Sequence, residues 1–85
     1  MKNLKVLVDL LKLKAKKTSE DKDLIEFEKG KYFFGVVKNK NDYDGITVSR
    51  KFEAKYSKRN GFKIIDTIDY YSEKNYSRIM RYLEN

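Results

Sequence analysis

The amino-acid sequence predicts a small α+β domain in which a helix at each end packs on a four-stranded antiparallel sheet. Three observations support this prediction. The chain has 85 residues, of which 40% are hydrophobic, enough for one modest core. Its first and last segments carry apolar residues at helical spacing, and the middle alternates apolar and polar residues in short runs. Because no linker or internal repeat divides the chain, residues 1–85 are predicted to form a single domain.

The first segment is predicted to be a helix that packs on the sheet. One face collects apolar residues at intervals of three and four positions: Leu4, Leu7, Val8, Leu11 and Ala15. Lysines occupy the opposite face, and the abundance of Leu and Lys favours a helix over a strand. Three more apolar residues widen the apolar arc beyond the needs of one sheet: Val6, Leu10 and Leu13. They are a candidate dimer contact, although packing within one chain explains the same pattern.

Four strands are predicted between the helices. A polar connector at 18–21 precedes them, and the strands span 24–28, 31–38, 46–56 and 62–70. The second strand has apolar residues on both sides, as expected of a central strand that is covered on both faces. Gly35 within it indicates a bulge or a close backbone approach. Lys29 and Gly30 predict a tight turn, and the composition of residues 39–45 predicts a loop.

Local signals mark the last hairpin and the closing helix. Asn60 and Gly61 predict a two-residue turn, since type I′ turns need positive φ at both central residues. A turn there would place Lys55 opposite Asp66. Ser72 is a suitable N-cap for the last helix. That helix carries one apolar stripe, formed by Tyr76, Ile79, Met80 and Leu83.

The composition excludes several kinds of chemistry. The chain has no cysteine and no histidine, so it offers no disulfide, thiolate nucleophile, imidazole base or Cys or His metal ligand. We therefore expect a non-enzymatic protein without catalytic residues, cofactor or metal. The absence of cysteine is compatible with a cytoplasmic location. The apolar stretch at 6–13 is interrupted by Asp9 and Lys12, and it predicts neither a signal peptide nor a membrane span.

A block of like charge is the main functional signal. Residues 29–63 contain ten Lys or Arg and three acidic residues, and this local excess equals the net charge of +7 of the whole chain. A basic segment interleaved with aromatic residues favours a polyanionic partner, nucleic acid or a nucleoprotein complex. Along the third strand and its hairpin, cations recur about every four residues, roughly 13 Å apart, a spacing that could follow a phosphate backbone. The candidate binding residues are Tyr43, Arg50, Lys51, Lys55, Lys58, Arg59 and Lys63.

Aromatic residues could add base stacking to phosphate contacts. Tyr32 and Tyr43 are the better candidates for exposure, because so small a domain needs its phenylalanines in the core. Those assigned to the core are Phe33, Phe34 and Phe52. Residues 29–36 resemble the basic-Gly-aromatic signature of RNA-recognition sheets, but Lys31 stands where an aromatic residue belongs.

Two alternatives belong to other functional classes. Small, motif-free domains of this kind are typical of phage and mobile-element products, including anti-CRISPR inhibitors that block a host nucleic-acid-handling complex. The chain also resembles RelE-type ribonuclease toxins in size and charge. Those toxins cleave RNA with Arg, Lys and Tyr side chains, and the last helix offers Arg78, Arg81 and Tyr82. The three hypotheses predict different behaviour of the purified protein. A binding domain would bind nucleic acid, an inhibitor would bind only its protein target, and a toxin would cleave RNA.

Overall fold

A five-stranded sheet connects an N-terminal and a C-terminal helix. The computed structural model describes the backbone of residues 3–53 and 60–84 and the side chains of residues 3–50 and 63–84. The elements described are α1 (Lys5–Lys14), β1 (Lys16–Glu20), β2 (Leu24–Lys29), β3 (Tyr32–Asn39), β4 (Asp42–Glu53), β5 (Asn60–Ile68) and α2 (Glu73–Glu84). The strands pair antiparallel in chain order. The predicted α+β class is confirmed, although the sheet has five strands instead of four.

Both helices lie on one face of the sheet, and the core lies between these two layers. Alternate positions of the central strands are buried, among them Phe27, Phe34 and Val48. The predicted apolar face of α1 packs against them, and α2 adds Ile79 and Leu83 to the same cluster. One layer of two short helices covers only one face of a sheet, so the remaining strand positions point away from the core.

The other surface of the sheet, which we call the open face, carries no helix among the described residues. Phe33 is half-buried there and Val37 is 39% exposed. The prediction that the second strand is covered on both faces is therefore wrong, because the two helices pack on the same side. Gly35 confirms the predicted close approach, since a Cβ at this position would lie 2.8 Å from Oγ1 of Thr47.

Two tight turns connect β2, β3 and β4. The first includes Gly30, as predicted, and its φ of 60° lies in the region that favours glycine. The second includes Lys40, with a φ of 53°, so that β4 begins at Asp42. The loop predicted at 39–45 is therefore wrong. Its Asn, Asp and Gly residues have low strand propensity, but pairing with β3 overrides that preference.

The turn predicted at Asn60 and Gly61 is wrong. Both residues lie in β5 and pair with β4, and the connection between the two strands lies outside the described residues. The observed register places Ile68 opposite Ile46, and both side chains are buried. The predicted register would place Ile68 opposite Glu53. Burial of the apolar side chains therefore outweighs the local preference for a turn.

Strand β1 replaces the connector predicted at 18–21. All of its residues are exposed, so no apolar periodicity marks it as a strand. The carboxylate of Glu20 holds it at the sheet edge by accepting hydrogen bonds from Nζ of Lys17 at 2.8 Å and of Lys38 at 2.9 Å. The carboxylate of Asp21 closes the next turn by accepting two backbone N–H groups, and these bonds lower its pKa.

We expect acid to loosen the β1 edge before the rest of the sheet. The hydrogen bonds from Lys17, and then those from Lys38, lower the pKa of Glu20 from 4.5 to about 2. Because the folded-state pKa lies below the unfolded value, the stabilisation is complete above about pH 4.5 and is lost as the pH falls toward 2. Amide hydrogen exchange, corrected for its intrinsic pH dependence, should show weaker protection of β1 at pH 3 than at pH 6.

A matched substitution separates this ion pair from a general effect of acid. Glu20→Gln should weaken β1 protection at neutral pH, whereas Glu84→Gln, at the end of α2, should leave it unchanged. Equal β1 protection in wild-type protein and Glu20→Gln would contradict the assigned role of Glu20.

Candidate nucleic-acid interface

Two predicted cations lie side by side on the helix-bearing face of the sheet. Arg50 of β4 pairs across the strands with Lys63 of β5 on one side and with Tyr32 of β3 on the other. Directly opposite residues share a face of a sheet, and the Tyr32 side chain is buried against α2. Both cations are exposed. The register therefore places them together just beyond the end of the core.

The last helix supplies a second row of cations. Lys74, Arg78 and Arg81 follow one another at intervals of four and three residues, which places them on one side of α2. Together with Tyr82 they line a surface cavity of about 550 Å³. The three residues that the sequence offers for RNA cleavage, Arg78, Arg81 and Tyr82, all line this cavity.

A carboxylate fixes the second row to the sheet. Asp66 of β5 lies opposite Val48 of β4 and forms an ion pair with Arg78 of α2. Its carboxylate also accepts a hydrogen bond from the Tyr82 hydroxyl at 2.9 Å. The predicted pairing of Asp66 with Lys55 is therefore wrong, because the observed register places Val48 opposite Asp66. The Tyr82 ring also contacts Tyr32 edge-on, with ring centroids 5.0 Å apart.

These contacts place the two rows on the same, helix-bearing side of the sheet. Tyr32 neighbours Arg50 across the strands and contacts Tyr82 of α2. Asp66 lies close to the pair of sheet cations on β5 and holds Arg78. We define the cationic surface as Arg50, Lys63, Lys74, Arg78 and Arg81.

Arg78 is positioned by a network that sequence reasoning did not identify. Its Nη1 donates to Oδ1 of Asn75 at 2.7 Å, and Asn75 is only 3% exposed. Nδ2 of Asn75 donates to the Tyr70 carbonyl at 2.9 Å. The backbone N–H of Asn75 donates to Oγ of Ser72 at 3.0 Å, which confirms Ser72 as the N-cap. The sequence signal for this network is the position of Asn75, three residues after the cap, because a polar side chain there often hydrogen-bonds to the backbone that precedes the helix.

The electrostatics of the surface suit an anion. Burial raises the pKa of the Tyr82 hydroxyl, and the hydrogen bond to Asp66 raises it further, so the hydroxyl remains a donor at neutral pH. Guanidinium and ammonium groups are donors that match phosphate oxygens. Within the described ranges, no group of three or more His, Cys, Asp or Glu could hold a metal ion. The donors of the cationic surface therefore match the chemistry of a phosphate group.

The other predicted site residues have different locations. Tyr43 is half-buried and packs on the core near the opposite end of β4, so it is not part of the cationic surface. Tyr32, predicted to be exposed, is buried because it packs under Tyr82. Lys51 pairs with Phe62, and its side chain lies outside the described part of the chain. Also outside that part are Lys55, Lys58 and Arg59.

The candidate dimer contact on α1 is not one surface. Leu10 is 7% exposed and belongs to the core of its own chain, which contradicts its assignment to a dimer contact. Its position on the helix lies within the arc that faces the sheet. Val6 is 45% and Leu13 79% exposed, so only these two remain available on the outer side of α1.

The open face has different chemistry from the cationic surface. A cavity of about 350 Å³ lies on this face. Its lining residues include Glu26, Glu28, Phe33, Gly35 and Thr47. Its charged lining residues are carboxylates, which repel a polyanion. The open-face cavity is therefore unfavourable for a polyanion, in contrast to the cationic surface.

The two helices of the described residues have 10 and 12 residues. Neither has the length and hydropathy needed to cross a bilayer.

The chain was also compared with known proteins. No protein-family model matches the chain, and comparisons with curated proteins and with solved structures find no significant match.

Proposed function

We propose that the protein is a non-enzymatic domain that binds nucleic acid, alone or within a nucleoprotein complex, through the cationic surface. The observation that carries this proposal is the cross-strand pairing of Arg50 with Lys63, together with the cation-lined cavity of α2. Phosphate contacts would supply most of the affinity, because each neutralised phosphate releases counterions. A cytoplasmic location, expected from the cysteine-free composition, belongs to the same proposal.

The fixed geometry of Arg78 supports phosphate binding over a diffuse attraction. Asp66 and Asn75 hold its guanidinium in place, yet 28% of its side chain remains accessible. An arginine that is already ordered loses less conformational entropy when it binds a ligand. Lys74 and Arg81 line the same cavity, so a phosphate placed there meets several donors together.

A ribonuclease is the second candidate, because Arg78, Arg81 and Tyr82 line one cavity. Binding is the stronger proposal, since the Tyr82 hydroxyl already donates its hydrogen bond to Asp66 instead of to a substrate. Incubation of RNA with purified protein separates the two functions. Degradation that is abolished in Arg81→Ala would favour the enzyme, and intact RNA after long incubation would favour the binding domain.

Fluorescence anisotropy with single-stranded DNA, duplex DNA and RNA of random sequence tests the proposal. We expect affinity that falls steeply with salt, with a slope of about 0.9 per phosphate contact on duplex DNA. The double variant Arg50→Glu/Lys63→Glu should weaken binding by at least about tenfold and lower the slope by about two. Thermal stability should change little, because both side chains are exposed.

The control is a pair of lysines in turns at the other end of the sheet. Lys22 and Lys40 are exposed, and Lys22→Glu/Lys40→Glu makes the same change in net charge. This control should retain most of the affinity. Equal losses in the two double variants would contradict the assigned surface. No binding by wild-type protein at low salt would overturn the proposal, and a stoichiometric complex with a nuclease that persists in excess DNA would favour the inhibitor.

A further inference from the structure

The two edges of the sheet differ in how they are protected. The five residues of β1 are all polar and exposed, and two of them are the lysines Lys16 and Lys17. The register of its pairing with β2 shifts between Lys17 and Ser19. An edge strand that exposes only polar and charged side chains is poorly suited to pairing with another chain. β5 has nine residues, and among the described residues no strand pairs with its outer edge. An unpaired edge that exposes apolar side chains is a site of strand addition.

The middle of β5 exposes two isoleucines. Ile64 is 62% and Ile65 is 41% exposed, and they are adjacent in the chain. Ser49 pairs with Ile64 while Val48 pairs with Asp66, so Ile65 is the extra residue of a bulge. The bulge leaves Ile65 without a directly opposite residue in β4.

We propose that β5 pairs antiparallel with β5 of a second copy of the chain, forming a two-fold dimer with one continuous sheet. With the two-fold axis between Ile64 and Ile65, Lys63 of each copy lies opposite Asp66 of the other. Each Ile64 then lies opposite Ile65 of the other copy. The strand is therefore complementary to itself in charge and in apolar contact, as an isologous interface requires.

The carboxylate of Asp66 can accept this additional contact. Arg78 and the Tyr82 hydroxyl each donate one hydrogen bond to it, and an ionised carboxylate has about four acceptor positions. The second copy's lysine would approach from the strand edge, whereas the two intramolecular donors come from α2, which covers the sheet face. The dimer thus uses Asp66 without displacing α2.

The dimer would also extend the cationic surface, and this part of the inference depends on the proposed function. Lys63 lies beside the two-fold axis, and Arg50 is its neighbour across β4. The second copy therefore brings a second Arg50 to the same side of the continuous sheet. With each Lys63 engaged by Asp66 of the other copy, one polyanion could contact both arginines, which a single chain cannot offer.

Sedimentation equilibrium from micromolar to near-millimolar concentration tests the dimer. We expect wild-type protein to reach twice the mass of one chain and Ile64→Lys to remain a monomer with an unchanged far-UV circular dichroism spectrum. Leu13→Lys is the matched control, because Leu13 is 79% exposed on α1 and the change adds the same charge. This control should dimerise like wild-type protein. A wild-type monomer at every concentration would overturn the proposal, as would a dimer that only Leu13→Lys disrupts.

Cross-linking provides a second measurement that does not depend on the loss of an interaction. The chain has no cysteine, so a single introduced cysteine can form a disulfide only between copies. Ile64→Cys, next to the two-fold axis, should cross-link under mild oxidation, and Leu13→Cys should not. The reverse result would overturn the proposed pairing.

The outcomes for the dimer and for nucleic-acid binding are separable. A dimer that binds no nucleic acid at low salt would support the strand pairing and overturn the proposed function. If both hold, Ile64→Lys should bind long duplexes more weakly than Leu13→Lys does, although both carry the same net charge. Equal binding of the two variants would overturn the shared surface and leave the dimer supported by its mass and cross-link.

Discussion

Phe34→Ala should cost about 3–5 kcal/mol of unfolding free energy, a large share of the total stability of a domain of this size. Phe34 is 1% exposed and lies in the central strand, between Phe27 of β2 and Val48 of β4. Truncation there leaves a cavity under both helices that the surrounding side chains cannot fill completely. Urea denaturation monitored by circular dichroism measures the loss.

Phe33→Ala is the matched control for this prediction. The adjacent side chain has the same size but points to the open face, where it is half-buried. We expect a loss of about 1 kcal/mol, since less apolar surface returns to water. Equal losses for the two variants would mean that both faces of β3 are covered equally, which would contradict the two-layer architecture.

Asp66→Ala is expected to cost about 2–3 kcal/mol. The side chains of Asp66 and Arg78 are 16% and 28% exposed, so their ion pair is largely shielded from solvent. Removing the carboxylate leaves the guanidinium of Arg78 and the hydroxyl of Tyr82 without this acceptor. The C-terminal helix should lose protection from amide exchange more than α1 does.

A double-mutant cycle isolates the ion pair from the other effects of the substitution. In a background of Arg78→Ala, the cost of Asp66→Ala should fall by at least about 1 kcal/mol, because its main partner is already absent. Asp66→Asn should be intermediate, since the amide oxygen still accepts a hydrogen bond from Tyr82. Full additivity of the two alanine substitutions would contradict the role of Asp66 in docking α2.

Patterns within one element predicted the helices, the central strands and the core face. The stripe of α1 and the cap at Ser72 depend on residues a few positions apart, and the chain carries these signals directly. The alternating residues of β2 and β4 did the same for the sheet. Such signals are reliable because the period of a helix or strand fixes which side chains share a face.

Features that depend on distant residues could not be predicted in this way. β1 has no apolar residue and exists because its backbone pairs with β2. The Asn60–Gly61 signal was misleading, since the register follows the burial of Ile68 against the core. The candidate site was predicted in part: Arg50 and Lys63 were identified, but their alignment with α2 depends on the contact between Asp66 and Arg78, twelve residues apart.

The order of the strands has a consequence for how quickly this protein folds. Each strand pairs with the one that precedes it in the chain, so every hairpin closes a short loop and loses little chain entropy. Hairpins of this kind form within about 1–10 μs. Contact between the two terminal helices joins segments from opposite ends of the chain. We therefore expect the sheet to grow as the chain leaves the ribosome, and helix docking to set the folding rate.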